Sequence, residues 1–233
     1  MSVRAVVRTF SELCVTVGTL IVLFVVYVMF WTGIKAADAS DGQIHSLQGT
    51  WARGSLPTTA PGTAAPEAAA PPAPEAYEPG RPFAVMYVPR LGKDWDWPVL
   101  EGTRTRTLQK GLGHYEGTAR LGETGNFSVA GHRRTYGDPF KDFPRLRPGD
   151  AVVLTDGATW FTYRVANTPY RTVPSDIGVI DDVPRKAGLD GPGRYLTLTT
   201  CEPEWGSSHR LVVWAHLDAT QPVEEGKPRA LSG

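Results

Sequence analysis

Residues 13–34 read LCVTVGTLIVLFVVYVMFWTGI, about 22 positions without a charged side chain, and no other feature of the chain restricts its fold as strongly. A bilayer core is crossed by roughly 20 apolar residues in helical form. The apolar part of a secretory leader is shorter, about 7 to 15 residues. The length therefore favours an uncleaved spanning helix. Arg4 and Arg8 precede the run, and Lys35 followed by Asp38 comes after it. Basic residues are retained on the cytoplasmic side, so residues 1–12 are expected inside and everything beyond the helix outside.

Residues 53–82, RGSLPTTAPGTAAPEAAAPPAPEAYEPGRP, carry almost no large apolar side chain. Burial cannot offset the ordering entropy of such a tract, so residues 35–82 are expected to form a flexible, Pro/Ala-rich stalk. In extended form it would reach tens of ångströms, at about 3.1 Å per residue. The globular part is expected over residues 83–219, with a C-terminal tail at 220–233. The 24 basic and 24 acidic side chains of the whole chain cancel, so bulk charge gives no reason to expect nucleic acid as a partner.

Eight β-rich runs punctuate the globular part, at 83–88, 97–100, 126–131, 151–155, 159–166, 170–173, 195–201 and 210–217. Short strands at such spacing point to an all-β barrel or sandwich. Asp156-Gly157 between two runs predicts a tight type I′ hairpin. Short helical turns are expected within 104–111 and 138–146.

The chemistry centres on Cys201, because the other cysteine, Cys14, lies in the apolar run. An unpaired thiol in an extracellular domain is either reactive, intermolecularly paired or simply buried. Cys201 ends the run LTLTTC just before Pro203, and Arg210 opens the next run, RLVVW. If the two runs pair as an antiparallel hairpin, thiol and guanidinium flank one cleft. Such an arginine can favour the thiolate and hold an oxyanion, although an arginine alone is usually a solvated surface group. A thiol needs a basic or cationic partner at neutral pH. Of five histidines, His132 follows the apolar run NFSVAG and should project from a strand end into a loop, where a structural histidine is the plainer reading.

The runs AGHR (130–133), TLTTC (197–201) and Arg210 nine residues on resemble sortases in order and spacing. The resemblance extends to the N-terminal anchor, the stalk and an eight-stranded β-barrel. GLGHYEGTA (111–119) and AGHRRTYGDPF (130–140) resemble class E, the housekeeping type of actinobacteria. What this implies is a membrane-bound cysteine transpeptidase of the cell wall. It would cleave a sorting signal, Leu-Ala-X-Thr-Gly or Leu-Pro-X-Thr-Gly, between Thr and Gly through a thioacyl enzyme on Cys201. The protein would then be joined to an amine of lipid II or a peptidoglycan stem peptide. His132 would act as acid and then base, Arg210 would steady the signal and the oxyanion, and Tyr115 would bear on the Ala preference. Thr200 is expected as a substrate-side or supporting contact. No cofactor is expected, and no metal, since Asp176, Asp181, Asp182 and Asp190 lack regular ligand spacing. The alternative is a noncatalytic, membrane-tethered β-barrel binding module. An L,D-transpeptidase would need Ser-His-Gly before the cysteine, where this chain has Leu198, Thr199 and Thr200.

Overall fold

The structure, a computed structural model, describes residues 3–54 and 76–232, except for some side chains of the first helix, those of residues 28–37 among them. Helix α1 runs Val3–Gly54. Its segment Val6–Tyr27, 22 residues with mean hydropathy 2.1, is long and apolar enough to cross a membrane. The expected span of 13–34 continues past Tyr27 into the residues whose side chains are not described.

Among the described residues nine strands follow: β1 Pro82–Tyr87, β2 Asp96–Glu101, β3 Leu112–His114, β4 Gly125–Ala130, β5 Ala151–Thr155, β6 Thr159–Val165, β7 Tyr170–Thr172, β8 Arg194–Glu202 and β9 His209–Pro222. Eight of them close into a ring in the order β6-β5-β1-β2-β3-β4-β8-β9, sealed by β6 on β9. The ring is the expected eight-stranded barrel, but its membership differs from the runs read in sequence. β7 pairs only with the start of β9 and stands outside the ring. The three-residue β3 takes its place between β2 and β4. Two of the pairings, β2–β3 and β4–β8, are parallel.

Alternation along each strand separates an inner and an outer face. Ala84, Met86, Phe127, Val129, Leu196 and Leu198 point into one apolar core. The intervening residues face outward, yet on two sides they too are buried. On β1, Val85 and Tyr87 pack against Ile44, Leu47 and Trp51 of α1. On β8 and β9, Thr197, Val212 and Trp214 lie under the 176–189 segment. Residues 38–53, expected within a flexible stalk, are thus helical, and their buried side chains rest on the barrel. Residues 55–75 of that stalk lie outside the described residues.

Two smaller expectations are corrected. The β5–β6 turn is not type I′, which needs positive φ at both central residues. Of Asp156 and Gly157 only Gly157 takes one, +91°. Asp156 Oδ1 instead accepts the N–H groups of Ala158 and Thr159, at 2.9 and 2.8 Å, in a longer loop. The helix expected within 104–111 is a single turn, α2 Thr105–Leu108.

Candidate active site

Cys201 and Arg210 are directly paired across the antiparallel β8–β9 ladder. Residues so placed have Cβ atoms about 4.5 to 5.5 Å apart and share a face of the sheet. That face is the outer one, since Leu198 of β8 and Leu211 and Val213 of β9 fill the core while Thr199 and Val212 point outward. Cys201 is half-buried, neither enclosed in the apolar interior nor on open surface.

The parallel β4–β8 pairing brings in His132. Ala130 lies opposite Thr199, the Gly131 N–H donates to the Thr199 carbonyl at 3.1 Å, and the Thr200 hydroxyl donates to the Gly131 carbonyl at 2.8 Å. Carried two residues past the end of β4, this register brings His132 level with Cys201, in a sheet whose neighbouring strands lie about 4.8 Å apart. Gly131 is needed here because a Cβ would meet the Phe140 ring at 2.6 Å. The imidazole stands 5.2 Å from the Tyr136 ring, and its Nε2 is buried without a hydrogen-bond partner among the described residues. Burial lowers the His132 pKa below the ordinary value.

Arg210 Nη1 donates to the carbonyls of Ser207 and His209, both at 2.9 Å. Among the described residues no carboxylate forms an ion pair with it. Neutral carbonyls fix the guanidinium without cancelling its charge. A cation held in that way can favour a thiolate and receive a developing oxyanion.

Arg210 also lines a cleft of about 80 Å³ with Tyr115, Thr172, Ile177, Val179 and Thr199. The Tyr115 hydroxyl shares a 2.9 Å hydrogen bond with Thr199 Oγ1, which ties the β3–β4 loop to β8. Of the two roles expected for Thr200, its placement fits the supporting one. It is 3 % exposed and its hydroxyl is spent on Gly131, so it positions the His132 loop and does not face the cleft. Of the four aspartates, Asp176 is engaged by Lys186 and by the Thr172 hydroxyl, which hold its carboxyl below the usual range.

Two features were not read from the sequence. Arg133, 8 % exposed, pairs with Glu202, and Arg134 pairs with Glu204 and lies 4.6 Å over the Trp205 ring. Together they bind the loop after His132 to the loop after Cys201. The signal was present as two arginines directly after the histidine and two glutamates, Glu202 and Glu204, flanking Pro203 after the cysteine. The second feature is His114, 2 % exposed, whose Nδ1 is 2.6 Å from Glu101 Oε2 and whose Nε2 is 3.1 Å from the Ala119 carbonyl. It anchors the strand that leads into Tyr115.

A β-barrel with a half-buried cysteine and an adjoining cleft on its rim has many possible tenants, and comparison with known proteins narrows them. The family model of the sortase domain matches residues 86–218, more than half of the chain, which therefore belongs to the sortase family. Within that family it resembles class E. A solved sortase E from Streptomyces avermitilis is 72 % identical over 66 % of this chain and 99 % of its own, with a TM-score of 0.64. Sortase E1 from Streptomyces coelicolor, solved with a tripeptide in its active site, is 40 % identical over 67 % of this chain and 99 % of its own, with a TM-score of 0.62. Sortase SrtE1 of the same organism is 36 % identical over 96 % of this chain, which spans only 60 % of that relative's length.

Proposed function

We propose that this chain is a membrane-anchored cysteine transpeptidase whose thiol, Cys201, cleaves sorting signals of the Leu-Ala-X-Thr-Gly or Leu-Pro-X-Thr-Gly type. The observation that carries the reading is the cross-strand pairing of Cys201 with Arg210, whose charge is left uncompensated by its neutral carbonyl partners. The Cys201 thiol passes its proton to His132 and its sulfur attacks the threonine carbonyl, forming an S–C bond while the C=O π pair moves onto the oxygen, whose negative charge Arg210 balances. His132 then protonates the glycine nitrogen as the Thr–Gly bond breaks, leaving a thioacyl enzyme. An amine of lipid II or of a peptidoglycan stem peptide attacks that thioester and gives a proton to His132. An amide C–N bond replaces the thioester C–S bond, and the released sulfur takes that proton back from His132 as the thiol. Dividing one difficult acyl transfer into two steps is the benefit of nucleophilic catalysis.

Burial favours neutral imidazole, which suits the second half of this cycle, when His132 accepts a proton. Tyr115 stands in the cleft with its hydroxyl on Thr199, a place from which it can contact the second residue of the signal. The helix Val6–Tyr27 supports the anchor. Arg4 and Arg8 support a cytoplasmic N-terminus and an extracellular barrel.

The test incubates the full-length protein in detergent with each signal peptide and looks for a thioester on Cys201 by mass spectrometry. An adduct that is absent in Cys201→Ala is the expected result. No adduct from either peptide, with Cys201 also inert to a small alkylating reagent, would return the chain to the noncatalytic reading. Tyr115→Phe is expected to change the ratio of alanine to proline signal used, and an unchanged ratio removes that role from its hydroxyl.

A further inference from the structure

Strand β1 is apolar on both faces. Ala84 and Met86 enter the barrel core, while Val85, fully buried, and Tyr87 face outward. An outward valine on a solvated barrel would be exposed, so something covers it. The cover is α1. Ser40, Ile44 and Leu47 are buried on it at 4, 8 and 6 % exposure, and Trp51 is half-buried. These positions are spaced by four, three and four residues, one stripe of a helix. The Trp51 indole sits against Gly157 so closely that a Cβ there would fall 2.3 Å from the ring. The surroundings of Tyr87 are dry enough to push its phenol up to about 12, burial first and Asp96 second.

We infer that residues 40–51 are a docking strut, by which the helix that enters the membrane also grips the barrel and fixes its orientation over the bilayer. α1 is continuous from Val3 to Gly54, so the barrel rides on its own anchor. From Ile34, where the uncharged run ends, to Ile44 is about 15 Å at a rise of about 1.5 Å per residue. Because the helix docks before residue 55, the length of residues 55–75 does not set the distance from membrane to barrel. In the ring β1 and β8 are four strands apart in either direction. The strut therefore holds the wall opposite Cys201, and the cleft opens away from the helix. The inference about orientation rests on the transpeptidase reading and on the membrane anchor. The docking itself rests on neither.

The experiment uses the full chain in lipid nanodiscs. Hydrogen exchange is followed in residues 40–53 and 83–88 for wild type, for Leu47→Asp, and for Gln48→Asp on the exposed face of the same helix. Thioester formation with a soluble signal peptide is measured beside transfer to triglycine in solution and to triglycine coupled to a phospholipid headgroup. Leu47→Asp should raise exchange in both segments at least tenfold and leave thioester formation and soluble transfer within about twofold. Transfer to the lipid-borne amine should fall several-fold, with Gln48→Asp like wild type throughout. Unchanged exchange in Leu47→Asp overturns the docking. Raised exchange with undiminished transfer to the lipid-borne amine overturns the orienting role. Absence of any thioester in wild type would overturn the proposed reaction and with it the orienting role, while the exchange data would still decide the docking.

Discussion

The barrel is covered on two opposite stretches of its outer wall, and the covers are built from different interactions. Over β1 the contact is apolar: Ile44, Leu47 and Trp51 rest on Val85 and Tyr87. Over β4, β8 and β9 it is directional. Asn126 Nδ2 donates to the Asp181 carbonyl at 2.8 Å, Trp214 Nε1 donates to the Val179 carbonyl at 2.8 Å, and the Thr197 hydroxyl reaches Asn126 Oδ1 at 2.8 Å. Apolar burial is non-directional and holds a body without dictating its fine placement. Hydrogen bonds fix position, and the second cover includes Ile177, Val179 and Ile180, which wall the cleft beside Arg210. One wall is suited to attachment and the other to geometry.

That contrast can be broken at four points. The largest effect is expected for Arg210→Ala on the cleft side. Loss of one charge-stabilising donor lowers turnover by about 10²–10³, so kcat/KM should fall that far with little change in melting temperature. A tenfold loss or less would mean that another group holds the oxyanion. On the attachment side, Ile44→Ala should lower the unfolding free energy by about 2 kcal/mol, the low end for a buried truncation because the site is at the edge of the fold. Denaturant titration of the full chain measures it, and kcat/KM for a soluble peptide should not move. Trp214→Phe removes one donor to the Val179 carbonyl, which keeps a longer contact of 3.4 Å from Thr197. The expected cost is therefore about 1 kcal/mol, accompanied by a higher KM as the cleft wall loosens. An unchanged KM would show that the directional cover is merely structural.

The smallest effect concerns pH. Burial holds the His132 pKa below its ordinary value of about 6.5 in the folded chain. The unfolded chain then binds more protons in that window, so this contribution to stability is fully present above about 6.5 and is lost as pH falls through the folded value. Melting temperature measured from pH 8 to 5 should decline less in His132→Asn than in wild type. Identical slopes would place the imidazole in water.

Much of the barrel was legible in sequence because its strands are short, apolar and bounded by turn residues. The exceptions have local causes. Leu112–His114 has neither length nor β-branched residues. It pairs as a strand because Gly113 lets the chain approach the Gly102 carbonyl, which a Cβ would meet at 2.5 Å. Residues 170–173 look like any other strand, and only pairing partners reveal that they stand outside the ring. Cys201 and Arg210 could be brought together from sequence because antiparallel neighbours joined by a short loop need no distant information. The position of His132 depends on parallel pairing between β4 and β8, where facing residues such as Ala130 and Thr199 stand 69 positions apart in sequence, and packing at that range leaves no local mark.

The parallel β4–β8 pair has a consequence for how such a protein can vary. Both strands run out of the sheet through the same rim, and the antiparallel β9 starts there. Cys201 and Arg210 are therefore carried by strand ends, and His132 follows the end of β4 by two residues. The outer parts of the connecting loops can lengthen, shorten or exchange residues while Cys201, His132 and Arg210 keep their spacing, so under the proposed reaction a new clientele would be reached by redecorating the rim with the barrel untouched.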